Sequence, residues 1–160
     1  MPWRRLCDTM ADEGYECLKL ENQLCFPLYV CAKEVVRRYR PLLDDLGLTY
    51  TQYIAMMALW EHRTLSVKEM GRLLYLDSGT LTPLLKKMEE MGLVTRSRDP
   101  SDERVLMVSL TDKGEAMRDR AADVPASVAS CVSISPEDAL ALKRILDGLM
   151  ATFRENERLL

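Results

Sequence analysis

The sequence predicts a mainly α-helical fold carrying one small β-hairpin, and three observations lead there. Apolar residues recur at helical spacing through most of the 160 residues. Proline, glycine and Ser/Thr/Asp residues punctuate that pattern where helices should start and stop. Between about Val94 and Leu110 the period shortens to alternation around the turn-forming Asp99, Pro100, Ser101 and Asp102. The length suits one domain, and 48% hydrophobic with 29% charged residues belongs to a globular chain with a sizeable core.

Composition excludes several function classes. The opening MPWRRLCDTMADEGYE turns acidic with no apolar stretch behind its arginines, so it does not read as a secretory signal. No run approaches the length of a membrane span, and a cytoplasmic protein with no membrane partner is expected. Five cysteines (Cys7, Cys17, Cys25, Cys31, Cys131), an odd number without an export signal, argue for reduced thiols over a disulfide framework. There is no C-x-x-C pair and His62 is the sole histidine, so no metal and no cofactor is expected. His62, at a helix end with no nucleophile spaced near it, most simply serves that helix terminus.

Residues 1–19 lack clear periodicity and read as a leader, poorly ordered or loosely docked, in which Cys7 and Cys17 are incidental exposed thiols. Residues 20–160 are expected to form the single domain. A first helix spans about 20–40, with Leu24, Leu28, Cys31, Val35 and Val36 at helical spacing. Pro27 should either kink it or restart it as an N1 residue, which would leave Cys25 beside a helix N-terminus, where the dipole favours an anion. Pro41 should close the helix. Cys25 and Tyr29, four apart, share a face at roughly 5–6 Å between Cβ atoms. Tyr39 returns to nearly that side, but about 21 Å along the axis, so it could meet Cys25 only across a two-fold axis. Cys31 falls on another face and is expected in the core.

Thr49 or Thr51 should cap the next helix, YIAMMALWEHR, apolar nearly all round and therefore central. Ser66 with Glu69 forms a capping-box signature for SVKEMGRLL. After Tyr75 and Leu76, Asp77 or Ser78 caps SGTLTPLLKKMEEMG, which Gly92 stops. Two short amphipathic helices joined by about three residues make a helix-turn-helix, and Ser78, Thr80 and Thr82 on the second can approach base edges, with Lys86 and Lys87 following. The hairpin adds Arg96, Arg98 and Arg104, and helix-turn-helix plus basic hairpin is a winged helix, spanning about 50–111. A net charge of -3 does not advertise DNA binding. From Arg72 to Arg98, however, five cations face three anions, so a basic face on an acidic body is expected.

Thr111 caps a helix that Pro125 should bend or end before a small-residue stretch holding Cys131. Ser135 and Pro136, with Glu137 and Asp138 in the first turn, start the last helix. Its stripe Leu140, Leu142, Ile145, Leu146, Leu149, Met150 and Phe153 is broader than one small domain needs. Dimerisation helices are therefore expected at about 20–40 and 112–158, giving a homodimer.

The stretches LENQLCFPLY, LTYTQYIAMMALWEH, LYLDSGTLTPLLKKMEEMGLVTR and SDERVLMVSLT resemble the MarR family of winged-helix repressors, and within it the organic hydroperoxide resistance regulators (OhrR). The likeness is dense from about Leu20 to Thr111, architectural beyond, and does not cover the first nineteen residues. Asp102 and Arg104 match the family's wing signature, and the QLCF-x-LY stretch selects the redox branch. The resemblance implies that Cys25 is the peroxide-sensing thiol and that Tyr29, Tyr39 and Tyr50 match its hydrogen-bonding tyrosines, Tyr39 coming from the other subunit. Cys131 lies where the branch's two-cysteine members carry a second thiol; its one-cysteine members finish with a small thiol instead.

The expected function is that of a repressor, not an enzyme. It would bind an inverted-repeat DNA operator as a homodimer and release it when an organic hydroperoxide oxidises Cys25, with Phe26, Met56 and Trp60 offering apolar surface to the alkyl group. Two other classes stay open: a MarR-type regulator controlled by a small non-oxidant ligand in the dimer cleft, and a thiol peroxidase, for which no thioredoxin-like βαβ pattern is present.

Overall fold

A computed structural model describes residues 15–157, with the backbone alone at 17, 156 and 157. Cys7, the side chain of Cys17 and most of the expected leader lie outside the described residues. The described residues divide into two compact units, on either side of the step from Val124 to Pro125.

In the first unit, two 3-10 turns (Tyr15–Leu18 and Leu20–Asn22) precede helix α1, Cys25–Asp44. Both proline expectations need correcting. The helix does not restart at Pro27; Cys25 is its first residue and Leu24 its N-cap, so Pro27 is third in a turn whose N–H groups have no intrahelical partner to lose. Nor does Pro41 close it. The helix runs on to Asp44, because the last turn buries Leu43 (1% exposed), which offsets one missing backbone bond. It ends where Gly47 turns left-handed at φ +68° and the amides of Gly47 and Leu48 return to the carbonyls of Asp44 and Leu43.

Helix α2 (Tyr50–His62) is the centre of the unit. Thr49 rather than Thr51 caps it, exchanging hydrogen bonds with Gln52, and Tyr53, Met56, Leu59 and Trp60 on it are buried. A third strand that the periodicity did not reveal follows, β1 (Thr64–Ser66). Three residues are too few to show alternation, and Ser66 is also the N-cap of α3 (Val67–Leu74). There the Ser66 hydroxyl accepts from the Glu69 amide at 3.1 Å, while the Glu69 carboxylate accepts from the Ser66 amide at 2.9 Å. The Ser66 hydroxyl also donates to that carboxylate at 2.7 Å, and this bond first, then the one from the Ser66 amide, holds the Glu69 carboxyl below its ordinary range. Tyr75 ends α3 in the left-handed region (φ 55°), and Asp77 caps α4 (Ser78–Glu90) by accepting from the Thr80 amide at 2.8 Å. The same bond lowers the Asp77 pKa.

Gly92 (φ +71°) turns the chain from α4 into β2 (Val94–Arg98), which pairs antiparallel with β3 (Leu106–Leu110), and β1 lies on the other side of β3. Helix α5 (Asp112–Ala121) packs back onto the turn after α4. Thr111 caps it through the Gly114 amide (3.0 Å) while donating to the Gly92 carbonyl (2.7 Å). The Trp60 indole N–H donates to the Gly114 carbonyl at 2.9 Å. At Gly114 a side chain has no room, since a Cβ would fall inside contact distance of the Leu93 carbonyl oxygen.

Helix α6 (Val124–Ser130) leads into the second unit; Pro125 therefore neither bends nor ends α5 but sits in the first turn of a new helix, where proline is tolerated. Helix α7 (Pro136–Glu157) is capped by Ser135, whose hydroxyl accepts from the Asp138 amide at 3.1 Å. Along it Leu140, Leu142, Ile145, Met150 and Phe153 are exposed. In the first unit Leu24, Phe26, Tyr29, Val30, Val35 and Val36 of α1 are exposed as well. Among the described residues no helix is long and apolar enough to cross a membrane.

Gly114→Ala should destabilise the first unit by about 2 kcal/mol or more, because the Leu93 backbone must move; a urea midpoint equal to wild type would show that the α5 start is looser than this packing implies. A second expectation follows from the Asp77 cap. With a folded pKa below the unfolded one, its contribution is present above the ordinary carboxylate range and is lost as pH falls through the depressed value. Asp77→Asn keeps an N-cap acceptor but removes that titration. Plots of urea midpoint from neutral pH to about pH 3 should therefore be shallower for the variant, and identical slopes would refute the assignment.

Candidate functional site

Cys25 is exposed at the first residue of α1, where the helix presents its unpaired N–H groups. Tyr29 follows one turn later and is 63% exposed, and no hydrogen bond joins its phenol to the thiol among the described residues. Tyr39, at the far end of α1, has a different environment. Its ring lies 5.0 Å from Tyr50 and 5.8 Å from Tyr53, and Tyr53 lies 6.3 Å from Trp60. Burial, then the neighbouring Tyr39, raises the pKa of both Tyr50 and Tyr53. The aromatic cluster therefore joins α1 to the central helix, yet stands about 21 Å along α1 from the Cys25 of its own chain.

Tyr53 escaped sequence reasoning as a member of this group; its spacing of three from Tyr50 puts both on one face of α2, and that was the available signal. Two other expectations change. Cys31 is exposed, not core, because α1 docks through Tyr39, Leu42 and Leu43 near its C-terminal end and, among the described residues, its N-terminal half does not join the core. Met56 is fully buried and Trp60 is 8% exposed with its indole engaged by Gly114, so of the three apolar residues expected near the thiol only Phe26 is at the surface. Cys131 is exposed one residue past α6, its thiol donating to the Ser127 carbonyl at 3.4 Å. It belongs to the second unit.

The first unit gathers the polar residues of α4 and the hairpin. Ser78, Thr80, Thr82, Lys86 and Lys87 are all exposed on α4. The Thr80 hydroxyl donates to Asp77 (3.1 Å) and that of Thr82 to the Ser78 carbonyl (2.7 Å), which fixes both rotamers. Lys87 pairs loosely with Glu90 at 3.5 Å. The hairpin tip is shaped by two aspartates. Asp99 accepts from the amide and hydroxyl of Ser101, and that bonding lowers its pKa. Asp102 accepts from both the amide and the Nε of Arg104 at 3.1 Å. Arg104 is thus oriented outward with its side chain 91% exposed. Arg98 is exposed without an ion-pair partner among the described residues. Arg96 differs, since its Nε (2.9 Å) and Nη2 (2.7 Å) both donate to Oε2 of Glu89 on α4.

Comparison with known proteins agrees with this architecture. Residues 37–120 match the family model described as transcriptional regulator SarA/Rot. The chain is 49% identical over 144 residues to the organic hydroperoxide resistance transcriptional regulator of Bacillus subtilis (strain 168), covering 90% of this chain and 98% of that one. Reduced AbfR bound to DNA superimposes with a TM-score of 0.73 at 34% identity, covering 88% of this chain and 96% of that one. Disulfide-formed AbfR does so with a TM-score of 0.60 at 35% identity, over 88% and 98%. AbfR is a Staphylococcus epidermidis protein. With the helix-turn-helix, the three-stranded wing and these likenesses together, the chain belongs to the MarR/SarA family of winged-helix transcriptional regulators.

Proposed function

We propose that the chain is a homodimeric repressor that binds an inverted-repeat DNA operator and lets go when an organic hydroperoxide oxidises Cys25. The observation that carries this reading is an exposed thiol at the first residue of α1, on a helix whose other end is packed through Tyr39 against the central helix of the winged-helix lobe. A relative with 49% identity is named for organic hydroperoxide resistance, and AbfR has been captured on DNA in reduced form and separately with a disulfide. The exposed apolar residues of α1 and α7 supply surface for a two-fold partner.

Reduced protein inserts α4 of each subunit into a major groove, with Ser78, Thr80 and Thr82 toward the bases, Lys86, Lys87 and Arg98 toward phosphates, and Arg104 in the flanking minor groove, held by Asp102. The Cys25 thiolate attacks the peroxide O–O bond. Sulfur gains one oxygen to become a sulfenic acid, and the other leaves as alkoxide, which takes a proton to become the alcohol. Tyr29 stands one turn from the sulfur, and the partner subunit's Tyr39 and the partner subunit's Tyr50 supply hydroxyls from across the two-fold axis, since Tyr39 in the same chain is out of reach. The thiol of the partner subunit's Cys131 then displaces water from the sulfenic acid, forming an intersubunit disulfide. That link shifts the dimerisation helices, and the two α4 helices no longer match successive major grooves. Affinity falls because it depends on both half-sites engaging at once.

In gel shifts with a duplex that the wild-type protein selects from randomised DNA, cumene hydroperoxide should abolish binding by wild type and leave Cys25→Ser bound. Release of Cys25→Ser under the same oxidant would defeat the sensor assignment. On non-reducing gels, oxidised wild type should run as a cross-linked dimer that Cys131→Ser does not form; a dimer band persisting in that variant would remove Cys131 as the second thiol.

A further inference from the structure

Three arginines decorate the hairpin, but they are not equivalent. Arg104 is 91% exposed at the tip, Arg98 is exposed on β2, and the Arg96 side chain is only 23% exposed. Arg96 makes three bonds to one carboxylate on another element. Its Nε and Nη2 donate to Glu89 Oε2 at 2.9 and 2.7 Å, and its backbone N–H donates to Glu89 Oε1 at 3.0 Å. Because β2 is an edge strand of the sheet, that amide would otherwise face outward unpaired. The bonding holds the Glu89 carboxyl below its ordinary range. Glu89 sits in the last turn of α4 and Arg96 two residues into β2, beyond Gly92 at φ +71°. Leu93 and Val94, 0% and 1% exposed, anchor the root of the strand. Past that root, the outer face of β2 is tied to α4 by the Glu89 carboxylate.

We infer that Glu89 and Arg96 are positioning residues for DNA binding: the clamp fixes the angle between α4 and the wing, and Arg96 itself touches no DNA. This rests on the reading of α4 and the hairpin as the DNA-binding surface. A guanidinium whose Nε and Nη2 both donate to one carboxylate oxygen, with the backbone amide on the other, leaves that junction little freedom to swing, whereas a groove-reading helix and a minor-groove arginine must engage one duplex together. The inference reverses the simplest view of a basic hairpin, in which each arginine neutralises a phosphate.

The two views differ in sign and in salt dependence. Glu89→Gln removes an anion from the surface, so electrostatics alone would tighten binding; a clamp predicts that it weakens. Affinities for the selected duplex would be measured across a salt series for wild type, Glu89→Gln, Arg96→Met, Arg96→Glu and the exchange Glu89→Arg/Arg96→Glu. We expect Glu89→Gln and Arg96→Met each to weaken binding about tenfold, with the log–log salt slope unchanged. The exchange should bind more tightly than Arg96→Glu alone, which a loss of folding could not produce. A slope reduced by about 0.9 per protomer in Arg96→Met would identify Arg96 as a phosphate contact and overturn the inference. Unchanged or tighter binding by Glu89→Gln would overturn it too. If Lys86→Ala/Lys87→Ala binds as tightly as wild type at every salt concentration, the surface itself is misassigned and the clamp falls with it; weakened binding there beside unaltered clamp variants sinks the clamp alone.

Discussion

One buried hydrogen bond carries much of the winged-helix lobe: the Trp60 indole N–H to the Gly114 carbonyl, 2.9 Å. It ties the central helix to the first turn of α5 at a place where Thr111 already joins α5 to the Gly92 turn. Breaking it would leave the buried Trp60 indole N–H without an acceptor, beside a Gly114 that has no room for a side chain. The wing hairpin lies between these attachments, its first strand entering after Gly92 and its last leaving at Thr111. Its base is thus held by the same few atoms that position the end of α4. The basic tip, by contrast, is shaped only locally, by Asp99 and Asp102. Rigid base and outward tip suit a device that must keep register while reaching away from the body.

Helix α1 is built differently. Helix α1 buries only its last turns, through Tyr39, Leu42 and Leu43, and leaves apolar residues in water along the rest of its length. An exposed apolar row of this extent is the kind of surface that interaction sites use. It also puts Cys25 and the Tyr39 cluster at opposite ends of one helix, too far apart for the phenol to reach the thiol of its own chain.

Local signals in the sequence located most of the fold. The Ser66/Glu69 capping pair, the Thr111 cap and the Gly92 stop each depend on a few neighbouring residues and stand where the pattern puts them, while the structure chooses Thr49 over Thr51 and Asp77 over Ser78 as the caps of α2 and α4. What failed depends on tertiary context. Whether Pro41 ends a helix is decided by the burial of Leu43 two residues later, and Cys31 is exposed because only the C-terminal end of its helix joins the core among the described residues. Strand β1 owes its existence to pairing with residues some forty positions away, from Thr64 with Ser109 to Ser66 with Met107. In the candidate site, residue types were legible but their commitments were not. Nothing in a run of arginines says that the first is already bound to Glu89.

The hydroxyls of α4 carry a consequence for what they can say to a duplex. Thr82 has spent its proton on the Ser78 carbonyl and Thr80 on Asp77. Each turns outward only oxygen lone pairs and a methyl group. In a major groove such a surface accepts from the amino group of adenine or cytosine, or lies against the methyl of thymine; it has no proton to offer the acceptor edge of guanine. The geometry of a single helical turn thus narrows what Thr80 and Thr82 can offer before any base is met.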